Sequence, residues 1–111
     1  MVDQLVVQPY NSYLTSATDY PAWVAYQVET YAEAVAELRT TTQVVIGLPI
    51  FDANLPAHDP TVETLGGALV GINMGLEQAG ESGDVITGVG IFAERDMTSD
   101  DWQTYRTGWL D

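Results

Sequence analysis

Carboxylate, amide and aromatic side chains stand at or just after the ends of three apolar runs. The runs cover residues 5–7, 44–48 and 85–92, at intervals of about 40 residues. The side chains at their ends are Tyr10, Asn11, Asp52, Asn54, Phe92 and Glu94. Each run is followed by a helical pattern, so the runs are predicted to be parallel strands whose carboxyl ends share one edge of a sheet. The sequence therefore predicts a cluster of functional groups at that edge.

Two of these residues are candidates for acid–base chemistry. Asp52 and Glu94 follow strands that are expected to be neighbours, about 4.8 Å apart. Their carboxylates would then fall in the ~5–10 Å range of the paired acids that hydrolyse glycosides. The candidate substrate-binding residues offer aromatic surfaces or amides that bind hydroxyl groups: Tyr10, Asn11, Asn54 and Phe92. Carboxylates, aromatic rings and amides together favour a carbohydrate ligand.

Simpler roles stay open for the same residues. Glu94 can form an ion pair with Arg95 or Arg106, and Asp52 can cap a loop. His58 is the single histidine and has no second histidine at the spacing of a metal site. A solvated loop histidine is the better interpretation, and we predict neither a metal nor a cofactor.

The charge of the chain is strongly one-sided. It has 16 acidic residues, three arginines and no lysine, which gives a formal net charge of −13. Phosphate contacts need Lys and Arg, so nucleic-acid binding is disfavoured, and an anionic membrane would repel the chain. We interpret the charge as adaptation to high salt, where counter-ions screen self-repulsion. An acidic protein of an ordinary environment is the alternative.

Composition sets further bounds. The 111 residues suffice for one domain and include no cysteine, so disulfides and thiolate chemistry are excluded. The N-terminus has no basic segment followed by an apolar stretch, and no apolar run approaches the ~20 residues that span a bilayer. We expect a soluble single domain, with the cytoplasm as the favoured location.

Start signals predict the first and last helices. Asp19 is a candidate cap, and Pro21 suits the first turn of a helix. Thr98 and the acids that follow it are typical of the start of another helix. The predicted apolar stripe of the first helix is Val24, Val28, Tyr31, Val35 and Leu38, and its solvated stripe is Glu29, Glu33 and Glu37. The apolar face of the last helix is Trp102, Tyr105 and Trp109.

The second helix is predicted to begin at Asp59–Pro60 and to end at Gly80. Glu63 is then an anion in the first turn, where the helix dipole favours it. A stripe of glycines at every fourth position, Gly67, Gly71 and Gly75, runs beside the apolar face. Each glycine costs up to ~1 kcal/mol relative to alanine, so we expect close backbone packing to offset it.

The predicted fold class is therefore α/β, with three consecutive βα units over residues 1–111. Three parallel strands leave two sheet edges open, and parallel sheets are normally covered on both faces. The chain is expected to need either the rest of a larger barrel or further copies of itself as a homo-oligomer. We favour the barrel segment.

The strand ends also carry a family resemblance. Residues 7–11 read Val-Gln-Pro-Tyr-Asn, residues 45–49 read Val-Ile-Gly-Leu-Pro, and residues 88–92 read Gly-Val-Gly-Ile-Phe. In this order they resemble the sixth, seventh and eighth strands of the TIM barrel of glycoside hydrolase family 18, the chitinases and endo-β-N-acetylglucosaminidases. The resemblance covers nearly the whole chain.

The resemblance implies roles for two residues. Tyr10 would contact the acetamido group of the sugar, and Phe92 would stand where the family has the tryptophan that floors the sugar subsite. Nothing here matches the family's catalytic Asp-x-x-Asp-x-Asp-x-Glu strand. The resemblance therefore implies a carbohydrate-active or carbohydrate-binding barrel segment without a complete catalytic set. The alternatives are a non-catalytic, self-assembling α/β protein of a halophile, or an enzyme of another barrel family that uses Glu94 and Asp52.

The charge leads to a first prediction. If the acidic surface is adapted to high salt, the melting temperature followed by circular dichroism should rise between low and molar sodium chloride, because counter-ions weaken the repulsion among carboxylates. A flat or falling melting temperature would count against the adaptation.

Overall fold

A computed structural model describes residues 4–9, 12–38, 42–49, 60–91 and 97–110. Its strands are β1 (Gln4–Val7), β2 (Gln43–Gly47) and β3 (Ile86–Gly90). Its α-helices are α1 (Tyr20–Glu37), α2 (Leu65–Ala79) and α3 (Ser99–Tyr105). A 3₁₀ segment, Gly80–Val85, leads into β3, and a π-helical turn, Arg106–Leu110, follows α3. Among these residues, no helix has the length and apolar character to cross a membrane.

The sheet confirms the predicted α/β class. Its three described strands are parallel and lie in the order β1-β2-β3. Val6 pairs with Val45, which in turn pairs with Gly88, and a register irregularity in the β2–β3 pair falls between Val44 and Val45. The order follows the chain, so both crossovers move in one direction. Crossovers of the same hand then place both helices on one face of the sheet.

That face carries the core. The buried strand side chains share one hydrophobic cluster with α1 and α2, and they are Val7, Val44, Ile46, Leu48 and Ile86. Leu5, Val89 and Ile91 are partly buried against the same cluster. The alternation along each strand therefore points these side chains toward the helices.

The opposite face of the sheet is uncovered in the described part of the chain. Val6 is 39% exposed, and a β-carbon built on Gly88 would have no neighbour within 4 Å. No residue of β1, β2 or β3 is charged. We call the surface formed by Val6, Val45 and Gly88 the open face.

Helix α1 begins as predicted and packs slightly differently. Asp19 is its N-cap residue, although its side chain makes no cap hydrogen bond, and Pro21 lies in the first turn. Val24, Val28 and Val35 are buried, but Tyr31 and Leu38 are exposed, so the predicted stripe is wrong at these two positions. Buried alanines complete the packed face instead, namely Ala25 and Ala32.

The predicted start of α2 is wrong. The helix begins at Leu65, and the Thr64 side chain is its N-cap, accepting a hydrogen bond from the Gly67 amide at 3.0 Å. Glu63 therefore precedes the helix and is not an anion of its first turn. The end is confirmed, because Gly80 is the C-cap with φ of 60°.

The glycine stripe is confirmed as a close helix–helix contact. A β-carbon on Gly71 would lie 2.5 Å from the Pro21 carbonyl oxygen and 2.7 Å from Val24 Cβ. A β-carbon on Gly75 would lie 2.7 Å from Val28 Cβ. Such distances leave no room for a methyl group, so α1 and α2 approach as closely as they do because these residues are glycines.

Helix α3 begins as predicted and packs on the outside of α2. Thr98 and Asp101 form a reciprocal capping box, with bonds of 3.0 and 3.1 Å. Tyr105 and Trp109 are partly buried against the core, whereas Trp102 is exposed and meets Tyr105 edge-on. The predicted apolar face is thus correct for two of its three residues.

The glycine contact makes a testable prediction. Gly71→Ala should lower the free energy of unfolding by about 1–3 kcal/mol, because overpacking outweighs the ~1 kcal/mol gain in helix propensity. Gly66→Ala is the matched control, since its β-carbon would meet only Thr104 Cγ2, at 3.7 Å. Urea unfolding should show Gly66→Ala to be neutral or stabilising. Equal effects of the two substitutions would contradict the close contact.

Candidate functional site

The carboxyl ends of the strands form one edge of the molecule, which we call the rim. Pro9 follows β1, and Leu48 and Pro49 follow β2, and all three are buried. The Leu48 amide donates to the Gly90 carbonyl at 2.9 Å, so β2 and β3 stay paired up to the rim. The described strand ends are therefore held in place at the rim.

The six predicted site residues lie outside the described residues. They are Tyr10, Asn11, Asp52, Asn54, Phe92 and Glu94, and the same holds for His58 and Arg95. Their proposed roles stay predictions. The described residues that flank them in sequence nevertheless define the rim.

Glu63 is the buried carboxylate of the rim. Its side chain is 2% exposed, and it is the only charged residue that is buried among those described. One carboxylate oxygen, Oε2, accepts the backbone N–H of Ser12 at 2.6 Å and the Ser12 hydroxyl at 2.5 Å. The two residues are 51 positions apart. Glu63 thus ties the loop after β1 to the segment that precedes α2.

The role of Glu63 is missed in the sequence analysis because the start of α2 is predicted at Asp59–Pro60, whereas the N-cap is Thr64. Asp59–Pro60 and Thr64 are both competent helix starts, and only the second leaves Glu63 outside the helix. The usable signal was Thr64 immediately before the long apolar and glycine-rich run of α2. The Glu63 carboxylate, just ahead of this cap, contacts the loop after β1 and not its own helix.

Tyr20 closes the base of the loop between β1 and α1. Its ring is fully buried, and its hydroxyl donates to the Pro9 carbonyl oxygen at 2.7 Å. The ring also lies at 6.1 Å, centroid to centroid, from that of Trp23, with the two planes 22° apart. Because a buried phenol needs a hydrogen-bond partner, this contact fixes the end of β1 against the start of α1.

Tyr13 has the one strained backbone among the described non-glycine residues. Its φ is 62°, in the left-handed region, and its side chain is 71% exposed. That conformation costs an L-residue roughly 1–2 kcal/mol. Strain of this kind persists only where neighbouring contacts hold the backbone, and it is frequent at functional sites.

The described part of the rim contains no metal centre. The described ranges contain no group of three histidine, aspartate or glutamate side chains that would hold an ion. Two hollows lined by described residues lie in the helix layer, one along α3 and one between α2 and the π-helical turn. Carboxylates are absent from the described residues that line them, so they do not fit the predicted acid–base chemistry.

Comparison with known proteins adds no identity. Neither a protein-family model, nor a curated protein, nor a solved structure matches this chain.

Glu63 generates a prediction about stability. Glu63→Ala removes the acceptor of two Ser12 donors and should lower the free energy of unfolding by about 1–3 kcal/mol. Glu63→Gln keeps an acceptor oxygen but loses the charge that strengthens such bonds, so its effect should be smaller. Glu77→Gln, at an exposed position of α2, is the matched control. If Glu63→Ala lowers the free energy of unfolding in urea no more than Glu77→Gln does, the buried contact is unimportant for stability.

Proposed function

We propose that this chain is a segment of a carbohydrate-binding or carbohydrate-active α/β barrel, with its ligand site at the rim. The observation that carries the proposal is the one-sided sheet. Its parallel strands follow the order of the chain, its packed face meets the helices, and its open face is uncharged.

A barrel wall has this construction. Each strand pairs with the next along the chain, the helices form an outer ring, and the inner face is filled by apolar side chains from other strands. A doubly wound sheet instead reverses its strand order and carries helices on both faces. The described strands show no reversal, which favours the barrel.

The ligand class is supported by the chemistry of the rim. In barrels of this kind, ligands bind at the carboxyl ends of the strands. The strand ends resemble those of glycoside hydrolase family 18, and the rim carries a buried carboxylate, a serine hydroxyl and an exposed tyrosine. The exposed tyrosine suits the C–H bonds on the faces of a sugar ring, whereas the carboxylate and the serine hydroxyl bind each other and hold the loop that carries the tyrosine. Hydrolysis would need Asp52 and Glu94, or carboxylates from the remainder of the barrel.

A second candidate is a self-assembling α/β protein, and the open face favours it as well. The described acidic residues all lie in helices, turns and loops. Two copies that meet through their open faces would therefore bury apolar surface without bringing carboxylates into the contact. Pairing of strand edges between further copies would in addition complete the sheet, so this candidate is a homo-oligomer.

Calorimetry and light scattering on the purified chain separate the two candidates. A carbohydrate-binding segment should give saturable heats with the tetramer of β-1,4-linked N-acetylglucosamine and none with maltotetraose. A single discrete oligomer that gives no heat with either sugar would contradict the carbohydrate proposal and support self-assembly.

Two matched variants test by light scattering whether the open face is an interface. Val6→Glu places a charge on it, whereas Val70→Glu makes the same change at an exposed position of α2. Val6→Glu should dissociate the oligomer or weaken association with other barrel strands, because it buries an unpaired charge. If light scattering shows the same mass for Val6→Glu, Val70→Glu and the unchanged chain, the open face is not an interface.

A further inference from the structure

Tyr13 combines two properties that a surface residue without a functional role rarely has. Its backbone occupies the left-handed region, with φ of 62°, and its aromatic ring is 71% exposed at the rim. Glycine would adopt this backbone without strain, and a buried ring would gain apolar contacts in return. Tyr13 has neither advantage, so packing does not account for a tyrosine at this position.

The residues on both sides hold Tyr13 in place. Ser12 is bound through its N–H and its hydroxyl to the buried Glu63 carboxylate, at 2.6 and 2.5 Å. The Leu14 amide donates to the Ser12 hydroxyl oxygen at 3.2 Å, and the Leu14 side chain packs against the core. With both neighbours anchored inward, the backbone turns at Tyr13 and the ring points outward.

We propose that Tyr13 is a ligand-contacting residue that stacks on the apolar face of a pyranose ring, and that Glu63 is the positioning residue that holds it there. This inference rests on the proposed carbohydrate function and extends it to a described site. The C–H bonds of a sugar face carry partial positive charge, which matches the negative face of an aromatic ring. A ring that is already held in place loses little freedom on binding.

Tyr26 provides the internal comparison. It is 64% exposed, but it lies within α1, where its backbone is regular. Tyr26 is therefore an ordinary surface tyrosine and serves as the matched control.

The test measures the affinity of the chain for the β-1,4-linked N-acetylglucosamine tetramer by calorimetry. Tyr13→Ala should weaken binding about tenfold, the order expected for one aromatic contact. Tyr13→Phe should bind within about threefold of the unchanged chain, because stacking needs the ring and not the hydroxyl. Tyr26→Ala should bind like the unchanged chain. Glu63→Ala should weaken binding, with recovery in Glu63→Gln.

A further variant separates strain from binding. Tyr13→Gly and Tyr13→Ala both lack the ring, but only glycine relieves the left-handed backbone. The melting temperature of Tyr13→Gly should therefore exceed that of Tyr13→Ala, while both bind the tetramer equally poorly. A loss of affinity shared by a more stable and a less stable variant is not a consequence of unfolding.

The outcomes distinguish the inference from the function on which it rests. If the unchanged chain does not bind the tetramer, both are overturned. If it binds and Tyr13→Ala binds equally well, the carbohydrate function stands and the role of Tyr13 is overturned. A change in oligomeric mass in Tyr13→Ala, with unchanged affinity, would make Tyr13 an interface residue and would also overturn the inference.

Discussion

The fold depends on the close approach of α1 and α2 along the glycine stripe. Gly71 and Gly75 leave the space that Val24 and Val28 of α1 occupy, and a methyl group at either glycine would collide with backbone as well as side chain. Protein interiors are packed to crystal-like density, so this contact determines how far apart the two helices lie. The glycines lower helix propensity, and the buried apolar surface offsets that loss.

The same contact builds the rim. Where α1 and α2 begin, a β-carbon on Gly67 would lie 3.3 Å from the Tyr20 ring, so the first turns of the two helices are in contact. Tyr20 holds the end of β1 through Pro9, and Glu63, just ahead of α2, reaches Ser12. Two loops from neighbouring strands are thus joined by a buried, hydrogen-bonded carboxylate. A wider helix spacing would separate Glu63 from Ser12, and the loss of hydrogen bonds to a buried carboxylate is unfavourable.

Local sequence signals are sufficient to predict an element where only one residue in the region can begin or end it. The parallel strands, Pro21, Gly80 and the Thr98 cap all followed from sequence, as did the reason for the glycine stripe. The start of α2 did not, because Asp59–Pro60 and Thr64 both cap helices and the choice depends on where the Glu63 carboxylate goes. Periodicity predicts Tyr31 and Leu38 to be buried, but the buried face of α1 is completed by Ala25 and Ala32 instead. The six predicted site residues lie outside the described part of the chain. For Glu63 the sequence offers the Thr64 cap as a signal, whereas the backbone angle of Tyr13 depends on contacts that no sequence pattern specifies.

Charge and topology bear on the face of the sheet that the described residues leave uncovered. A chain with a net charge of −13 resists association through most of its surface, because each approach brings carboxylates together. The three strands contain no charge at all, and their open face is lined by valine and glycine. On the proposals above, repulsion would direct association toward the open face, whether the partner is another copy or the remaining strands of a barrel. Salt would weaken that selectivity by screening the rest of the surface, so on these proposals the same charge distribution would govern both stability in salt and the specificity of assembly.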